Sequence, residues 1–265
     1  MRTADIARRV ATTADVVVTS ARMRVAELLA TPATLVLTVI QPAVLLLVVL
    51  LTGDHLPPAR VNTLVTGVLL TAFSGATVRG TGAVLARDRA QGVLARTVTG
   101  TVDARLVVVG KGLGAGLLCV GQIAATIAAV LLVLRPPMSP WHPGLLAAGL
   151  VLALLSGAAV GLLIACLFVL TRYAVQVSSI LIYGNYVLGG MLIPPEALPA
   201  PLGWFSWLVS LHWLQEFLTG AATGRTDLGA LGAAAVLTIG YGVAGSLLFT
   251  RMVTRARGEA TLDLV

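Results

Sequence analysis

The feature that most constrains the fold is a series of apolar runs, each close to the roughly 20 residues that a helix needs to cross a bilayer. Only 11% of the residues are charged, whereas a soluble domain carries about 25%, so the bilayer must be the main solvent. We therefore predict one all-α integral membrane domain over residues 1–265. Six transmembrane helices are expected, at 33–51, 61–78, 106–134, 144–170, 175–193 and 228–249.

The basic residues indicate which side of the membrane each loop occupies. With six spans, all but three of the 18 Lys and Arg residues fall on the side that holds both termini. This asymmetry predicts a plasma-membrane protein with both termini in the cytoplasm. It also explains the basic balance without a nucleic-acid partner. The three exceptions, Arg60, Arg135 and Arg225, lie on the outer side together with every His and Trp, and the Trp residues there fit an aromatic belt.

Residues 4–29 predict an amphipathic helix, in which Val17 and Ala21 fall on the apolar side and Asp15 and Arg22 on the polar side. Such a helix can lie in the membrane interface with its basic side towards anionic lipid. The alternative is a short soluble helix or a leader. We expect the interfacial helix because a membrane span follows at once.

Glycines recur inside the predicted spans, where small residues let helices approach closely. We expect close helix contacts at Gly112, Gly114, Gly116, Gly121, Gly157 and Gly161. The two cysteines, Cys119 and Cys166, lie in different apolar runs, so we expect no disulfide between them and no structural zinc site.

A polar, basic segment interrupts the apolar sequence at residues 87–111. Its first part, 87–98, has apolar residues at helical spacing and charges at the remaining positions, and a membrane span holds it at each end. A plain connector would be the simpler interpretation. However, a short helix tethered in this way is rigid enough to receive movement from a partner, and Gly92 would permit a close backbone approach.

This segment resembles the cytoplasmic segment of ABC-2 type permeases. In that family a pair of charged residues precedes a Gly, a small or β-branched residue and Leu, and a Gly-Lys or Gly-Arg pair begins the next span. Here residues 87–89 supply the charges, 92–94 are Gly-Val-Leu, and 110–111 are Gly-Lys. Gly100-Thr101-Val102 stands where Thr-Pro-Val is common, so the usual proline is missing at the end of the segment.

The resemblance implies that residues 87–98 form the coupling helix, which docks into a groove on the ATP-binding subunit. The residues that would carry this contact are Arg87, Asp88, Arg89, Gly92, Leu94 and Arg96.

A second unusual stretch lies between the fifth and sixth spans. Its prolines forbid a regular helix through the middle, yet residues 204–218 are apolar and predict a helix. Either a re-entrant hairpin on the outer side or an outer loop with an aromatic interfacial helix would fit. The same family has a Gly…Pro…Leu-Pro…Leu motif here, in short re-entrant helices that cap the transport path. The resemblance therefore implies a re-entrant cap over 194–218, carried by Gly190, Pro194, Leu198, Pro199 and Leu202.

Two carboxylates, Glu196 and Glu216, fall in this cap. A carboxylate at membrane depth would be a candidate for function, but we expect both to reach outer water. No P-loop, H-E-x-x-H or G-x-S-x-G motif is present, so the sequence indicates neither ATP binding by this chain nor an enzyme site.

The resemblance implies the transmembrane subunit of an ABC-2 type exporter, most similar to permeases of the daunorubicin-resistance type. Its expected partners are an ABC ATPase subunit, which would bind ATP and Mg²⁺, a second permease copy in a homo- or heterodimer, and the lipid bilayer. The cargo would be hydrophobic or amphipathic, such as a drug or lipid. The main alternative is a stand-alone transporter or channel driven by an ion gradient, but no acidic residue lies in the middle of a predicted span.

Overall fold

The computed structural model describes residues 2–30, 40, 44, 47–48, 65–78, 81, 103–134, 143–170, 174–190, 199–222 and 227–258. All regular structure within these ranges is α-helical. Eight helices are described: α1 (Arg2–Leu29), α2 (Val65–Val78), α3 (Ala104–Leu134), α4 (Pro143–Leu170), α5 (Ala174–Leu188), α6 (Ala200–Ser206), α7 (Ser210–Ala222) and α8 (Leu228–Gly258).

Three of the described helices are long and apolar enough to cross a membrane, over Ala104–Thr126, Gly144–Cys166 and Leu228–Met252. They correspond to the third, fourth and sixth predicted spans. The predicted second span is represented by the shorter apolar helix α2. The predicted first span, 33–51, falls almost entirely outside the described residues. The structure therefore supports an all-α membrane protein, and the number of six spans stays a prediction.

The helix at the position of the predicted fifth span, α5, ends at Leu188 rather than at Ile193. Gly190 follows with a φ of 74°, a left-handed conformation that glycine adopts without a steric penalty and that commonly ends helices. The Gly189 backbone N–H donates to the Asn185 carbonyl oxygen at 2.9 Å, and the Gly190 N–H donates to that of Val187 at 3.2 Å. The two glycines therefore end the helix.

The prediction of one helix over 204–218 is wrong. The structure has two helices, α6 and α7, with a turn at Trp207–Val209 between them. In the turn the Leu208 N–H donates to the Phe205 carbonyl oxygen at 3.1 Å, and the Val209 N–H donates to that of Ser206 at 3.0 Å. These short-range bonds replace the α-helical pattern, and the chain changes direction there. We call α6, this turn and α7 the cap hairpin.

The core of the described bundle is formed around α2, which is buried on nearly all sides. Leu70 and Phe73 are among the most deeply buried side chains of the bundle. A helix that is apolar all round belongs inside a protein, and here α3 and α4 pack on it while α8 and α7 pack on α4. The two cysteines, Cys119 and Cys166, are both buried.

Candidate functional site

The predicted coupling helix, 87–98, lies outside the described residues, and with it all six of its candidate residues, Arg87, Asp88, Arg89, Gly92, Leu94 and Arg96. What the structure does describe is the chain on both sides of it. Thr81, which follows α2, is the last described residue before it, and Asp103 stands directly before α3. The packing of α2 and α3 therefore determines how this segment connects to the rest of the bundle.

Asp103 caps the N-terminus of α3. Its side-chain oxygen accepts a hydrogen bond from the Arg105 backbone N–H at 3.0 Å, which satisfies one of the free donors of the first helical turn. The Arg105 guanidinium also pairs with the Asp103 carboxylate at 2.6 Å. The hydrogen bonds from the Arg105 side chain lower the pKa of the Asp103 carboxyl group, against a smaller raising effect of partial burial. The start of α3 is thus held as a defined, charged helix end.

Two threonines of the α2 segment fit against glycines of α3 and α4. Thr77 faces Gly116 of α3 and Gly157 of α4, and Thr81 faces Gly112 and Gly161 of the same two helices. A Cβ added at Gly157 would lie 2.8 Å from the Thr77 Cβ, and one added at Gly112 would lie 2.7 Å from the Thr81 Cβ. No larger residue fits without movement of α2. We call these six residues the Thr–Gly contacts.

The hydroxyl groups at these contacts are satisfied within α2 itself. The Thr77 hydroxyl donates to the Phe73 carbonyl oxygen at 3.1 Å, and the Thr81 hydroxyl donates to that of Thr77 at 2.9 Å. A threonine whose hydroxyl bonds to the preceding turn presents an unstrained, compact surface to a neighbouring helix. The contact between α2 and its neighbours is therefore a close steric fit.

The opposite face of α3 packs against α1. Gly110 meets Val17 and Ser20, and Gly114 meets Ala21, with a Cβ added at Gly110 lying 2.6 Å from the Val17 carbonyl oxygen. Because residue numbers rise together along both helices at these contacts, α1 runs beside α3 in the same direction. Gly110 belongs to the predicted Gly-Lys pair, so a residue beside the end of the basic segment is also a helix contact.

The predicted close contacts are confirmed at five of the six glycines named from the sequence. The exception is Gly121, which has nothing within 4 Å of an added Cβ. The glycines of α3 alternate between two partners at a spacing of two residues, which places them on opposite sides of the helix.

The cap hairpin contains the second group of predicted residues. Gly190 ends α5, Pro199 stands at the N-cap of α6 with a φ of −55°, and Leu202 lies within α6. Pro194 and Leu198 lie outside the described residues. Proline before and within the first turn suits the start of a helix, because those N–H groups have no intrahelical partner.

The turn of the cap hairpin meets the middle of two long helices. The hydroxyls of Ser210 and Ser156 are hydrogen-bonded at 2.6 Å, and both residues are buried. Ser156 is midway along α4. The Tyr241 hydroxyl donates to the carbonyl oxygen of Leu208, and Tyr241 is midway through the apolar window Leu228–Met252 of α8. The turn therefore lies halfway along both helices rather than at their ends.

From this turn, α7 returns towards the Pro143 end of α4. A Cβ added at Gly149 of α4 would lie 3.1 Å from the Leu218 Cγ of α7, whereas Ser210 lies beside Ser156. The two helices are thus antiparallel. The Ser206 hydroxyl donates to the carbonyl oxygen of Leu188, so the end of α5 and the turn of the cap hairpin lie at the same level.

The two sides of α7 differ in polarity. One side is buried against the bundle and is apolar: Leu211, Leu214, Phe217, Leu218 and Ala221. The opposite side, at helical spacing, carries His212, Glu216 and Thr219, which we call the polar face of α7. Gln215 lies between the two sides, and its Oε1 atom is buried. Within it, Glu216 is exposed and His212 is half-buried.

Aromatic rings adjoin this polar face near the turn. The Trp207 and Trp213 ring centroids are 6.1 Å apart, and those of His212 and Trp213 are 5.3 Å apart, both in edge-to-face geometry. The Trp213 indole N–H donates to the Trp207 carbonyl oxygen at 2.9 Å. These Trp residues lie beside the middle of α8, whereas the sequence indicated an aromatic belt at the helix ends.

The family model for ABC-2 type transporters matches residues 17–222, a range that runs from the α1–α3 contact to the end of α7. This chain belongs to the ABC-2 type transporter family. It is a transmembrane component of an ABC transporter. A comparison with curated proteins finds no match.

Membership of the family confirms the resemblance drawn from the basic segment and the cap. An ABC-2 permease works in the membrane with an ABC ATPase subunit and is not itself the catalytic component. Nowhere in the described ranges do three or more His, Cys, Asp or Glu side chains come together as a group that could hold a metal ion.

Sequence reasoning missed several groups in this permease. The hydrogen bond between Ser156 and Ser210 joins residues far apart in the chain, and no local sequence pattern predicts it. The role of Thr77 and Thr81 was also missed, although their spacing of four residues matches that of Gly157 and Gly161. Threonine and glycine at the same period on neighbouring apolar segments is a signal that could have found them.

Proposed function

We propose that this chain is the permease subunit of an ABC exporter, which moves a hydrophobic or amphipathic substrate out of the cytoplasm. The energy would come from ATP, bound with Mg²⁺ and hydrolysed on a separate subunit. The observation that carries this proposal is the family match over residues 17–222. A drug or a lipid-like molecule of the kind exported by daunorubicin-resistance permeases fits a chain of which 57% is hydrophobic.

In this proposal residues 87–98 dock on the ATPase subunit, with Arg87, Asp88, Arg89, Gly92, Leu94 and Arg96 at the contact. Movement of the docked segment would pass to its two flanking helices, α2 and α3. The Thr–Gly contacts support this route, because close-packed helices transmit displacement rather than absorb it. The Thr77 and Thr81 contacts then extend the movement to α4.

At the other end of the bundle, the cap hairpin would be a re-entrant element on the outer side. Its turn contacts the middle of the spans at Ser156 and Tyr241. Non-helical backbone at that depth is tolerated only where protein buries it or where it lines a cavity. The Leu208 carbonyl oxygen in the turn accepts a hydrogen bond from the Tyr241 hydroxyl of α8, which supports this placement.

The orientation proposed here follows from the basic residues. The cytoplasmic side would hold both termini, the coupling segment and the Asp103–Arg105 start of α3, in a plasma membrane. A second permease subunit, identical or related, would complete the transport path. In this arrangement α1 would lie at the cytoplasmic side of the membrane, packed against the N-terminal part of α3 at Gly110 and Gly114. Asp15 and Arg22 are exposed.

Co-purification of an ABC ATPase with the tagged full-length chain tests the proposal. Wild type should retain a Walker-motif ATPase, and this binding should be lost in Gly92→Trp and in an Arg87/Asp88/Arg89 triple alanine variant. The matched control replaces three other charged residues, Arg251, Arg255 and Arg257, with alanine and should bind normally. Transport of substrate by the purified chain with no ATPase present would instead favour the alternative of an ion-gradient transporter.

A further inference from the structure

The polar face of α7 lies at the same level as the apolar, membrane-spanning part of α4. Ser210, at the start of α7, contacts Ser156, and Leu218, near its end, contacts Gly149. Both partners fall inside the apolar window Gly144–Cys166 of α4. His212 and Glu216 lie between these two levels, and the apolar side of α7 already occupies the bundle interior.

A carboxylate surrounded by hydrocarbon is strongly unfavourable. Because Glu216 is exposed and points away from the bundle interior, it must face water or protein rather than lipid. Glu216 is the only Asp, Glu, Lys or Arg residue in the cap hairpin, residues 200–222. Any water-filled space beside this face therefore carries a net negative group at that position.

The surroundings of Glu216 suit a cation with an apolar body. Glu216 follows His212 by four residues and Trp213 by three, so the three side chains occupy neighbouring positions on α7. Trp207, with 67% of its surface exposed, completes a set of rings whose faces can attract a cation. Aromatic faces beside one carboxylate form a recurrent arrangement for binding organic cations.

We infer that the polar face of α7, with Glu216 as its anionic group and Trp207, His212 and Trp213 as its aromatic wall, lines a water-filled section of the transport path and binds the cationic group of an amphipathic substrate. This inference rests on the proposed function, since it assigns a substrate class to the path of the proposed exporter. The charge of Glu216 selects the cation, and the rings accommodate its apolar part.

The first arm of the test measures access to water. His212→Cys is made in the full-length chain in cell membranes and treated with a charged, membrane-impermeant thiol reagent, which reacts with a thiolate and therefore needs a hydrated cysteine. Ile239→Cys is the matched control, because Ile239 is 65% exposed on α8 near the level of the turn and would face lipid. The native cysteines are buried, so the parent chain gives the background.

We expect rapid labelling of His212→Cys and background labelling of Ile239→Cys. Equal labelling of the two would overturn the water-filled path at this face, as would background labelling of both. Thr219→Cys, on the same face, carries the same comparison if His212→Cys does not reach the membrane. Because labelling requires no ATPase, this arm can fail while ATPase binding succeeds, which separates it from the proposed function.

The second arm measures cation recognition. Tetraphenylphosphonium and tetraphenylborate have nearly the same shape and opposite charge, and each is tested for protection of Thr219→Cys from labelling, because Thr219 lies on the polar face and outside the proposed aromatic wall. Only the phosphonium should protect. Its half-protecting concentration should rise at least about tenfold when Glu216→Gln is added, because loss of a charge-assisted contact weakens binding by an order of magnitude or more. Equal protection by both ions, or protection unchanged by Glu216→Gln, would overturn the cation assignment.

Discussion

The Thr–Gly contacts and the cap hairpin are both places where polar side chains are buried in an apolar bundle, but they use polarity differently. At the Thr–Gly contacts each hydroxyl bonds within its own helix, as Thr77 does with Phe73, and the neighbours supply only space. At the cap hairpin the hydroxyls bond across helices, as Ser210 does with Ser156. The first arrangement depends on shape and the second on matched hydrogen bonds.

This difference indicates how each region tolerates change. A steric contact between α2 and its neighbours has no partial state, because an added methyl group either fits or displaces a helix. A hydrogen bond between Ser156 and Ser210 can break, and the Ser156 hydroxyl can then bond to the preceding turn of α4. The Thr–Gly contacts therefore suit transmission of movement, and the cap hairpin suits an element that changes position.

The largest expected effect is at the Thr–Gly contacts. Gly116→Ala and Gly157→Ala should each destabilise the protein by about 1–3 kcal/mol, the usual result of forcing extra volume into a packed interior. Thermal denaturation in detergent, followed by size-exclusion chromatography, measures the loss. Gly121→Ala is the matched control on α3, and it should leave the midpoint unchanged or slightly higher, because an alanine there meets no atom within 4 Å.

A second substitution distinguishes the two glycines. The added methyl at Gly116 collides with the Thr77 Cγ2 atom and lies 3.5 Å from the Thr77 Cβ, whereas that at Gly157 lies only 2.8 Å from the Thr77 Cβ. Thr77→Ser removes Cγ2 alone. It should therefore restore stability to Gly116→Ala and not to Gly157→Ala. Rescue of both, or of neither, would contradict the described packing of α2.

An intermediate effect is expected at the hydrogen bond of the cap hairpin. Ser156→Ala and Ser210→Ala should each cost about 1 kcal/mol, and the double variant should cost less than the sum of the two. The double-mutant cycle, measured by thermal denaturation, isolates the pairwise term. Additive losses would mean that these hydroxyls do not stabilise the cap through each other.

The smallest effect is expected at the start of α3. Because the pKa of Asp103 is lowered in the folded protein, its contribution to stability is present at neutral pH and is lost as the pH falls through that lowered value. Both side chains are partly exposed, so the contribution should be below about 1 kcal/mol. Asp103→Asn should lower the denaturation midpoint at pH 7, and the gap to wild type should close on acidification. A gap that widens at low pH would contradict the described pair.

Much of the architecture could be predicted from the sequence, because long apolar runs bounded by charge determine helices in lipid with little ambiguity. The starts of α3, α4 and α8 fall within two residues of their predicted positions, and glycine spacing predicted the contacts at Gly112 and Gly161. The end of α5 was missed, since an apolar sequence continues past Gly190 while the backbone there turns left-handed.

The candidate sites were less predictable for a different reason. Family resemblance named Gly190, which ends α5, Pro199, which precedes α6, and Leu202 within α6, but it did not identify the residues that these helices bring together. The two sides of α7 follow from the helical spacing of its apolar residues. The depth of its polar face does not, because that depth depends on tertiary contacts at Ser156 and Tyr241, and no local pattern contains them.

The central claim is that ATP-driven movement of the coupling segment at one end of the bundle changes the transport path at the other. The direct test is the labelling rate of His212→Cys in the assembled transporter, without nucleotide and with ATP plus vanadate. We predict different rates in the two states, and no difference in the Arg87/Asp88/Arg89 triple alanine variant. Equal rates in the two nucleotide states of the otherwise unmodified His212→Cys transporter would contradict the account.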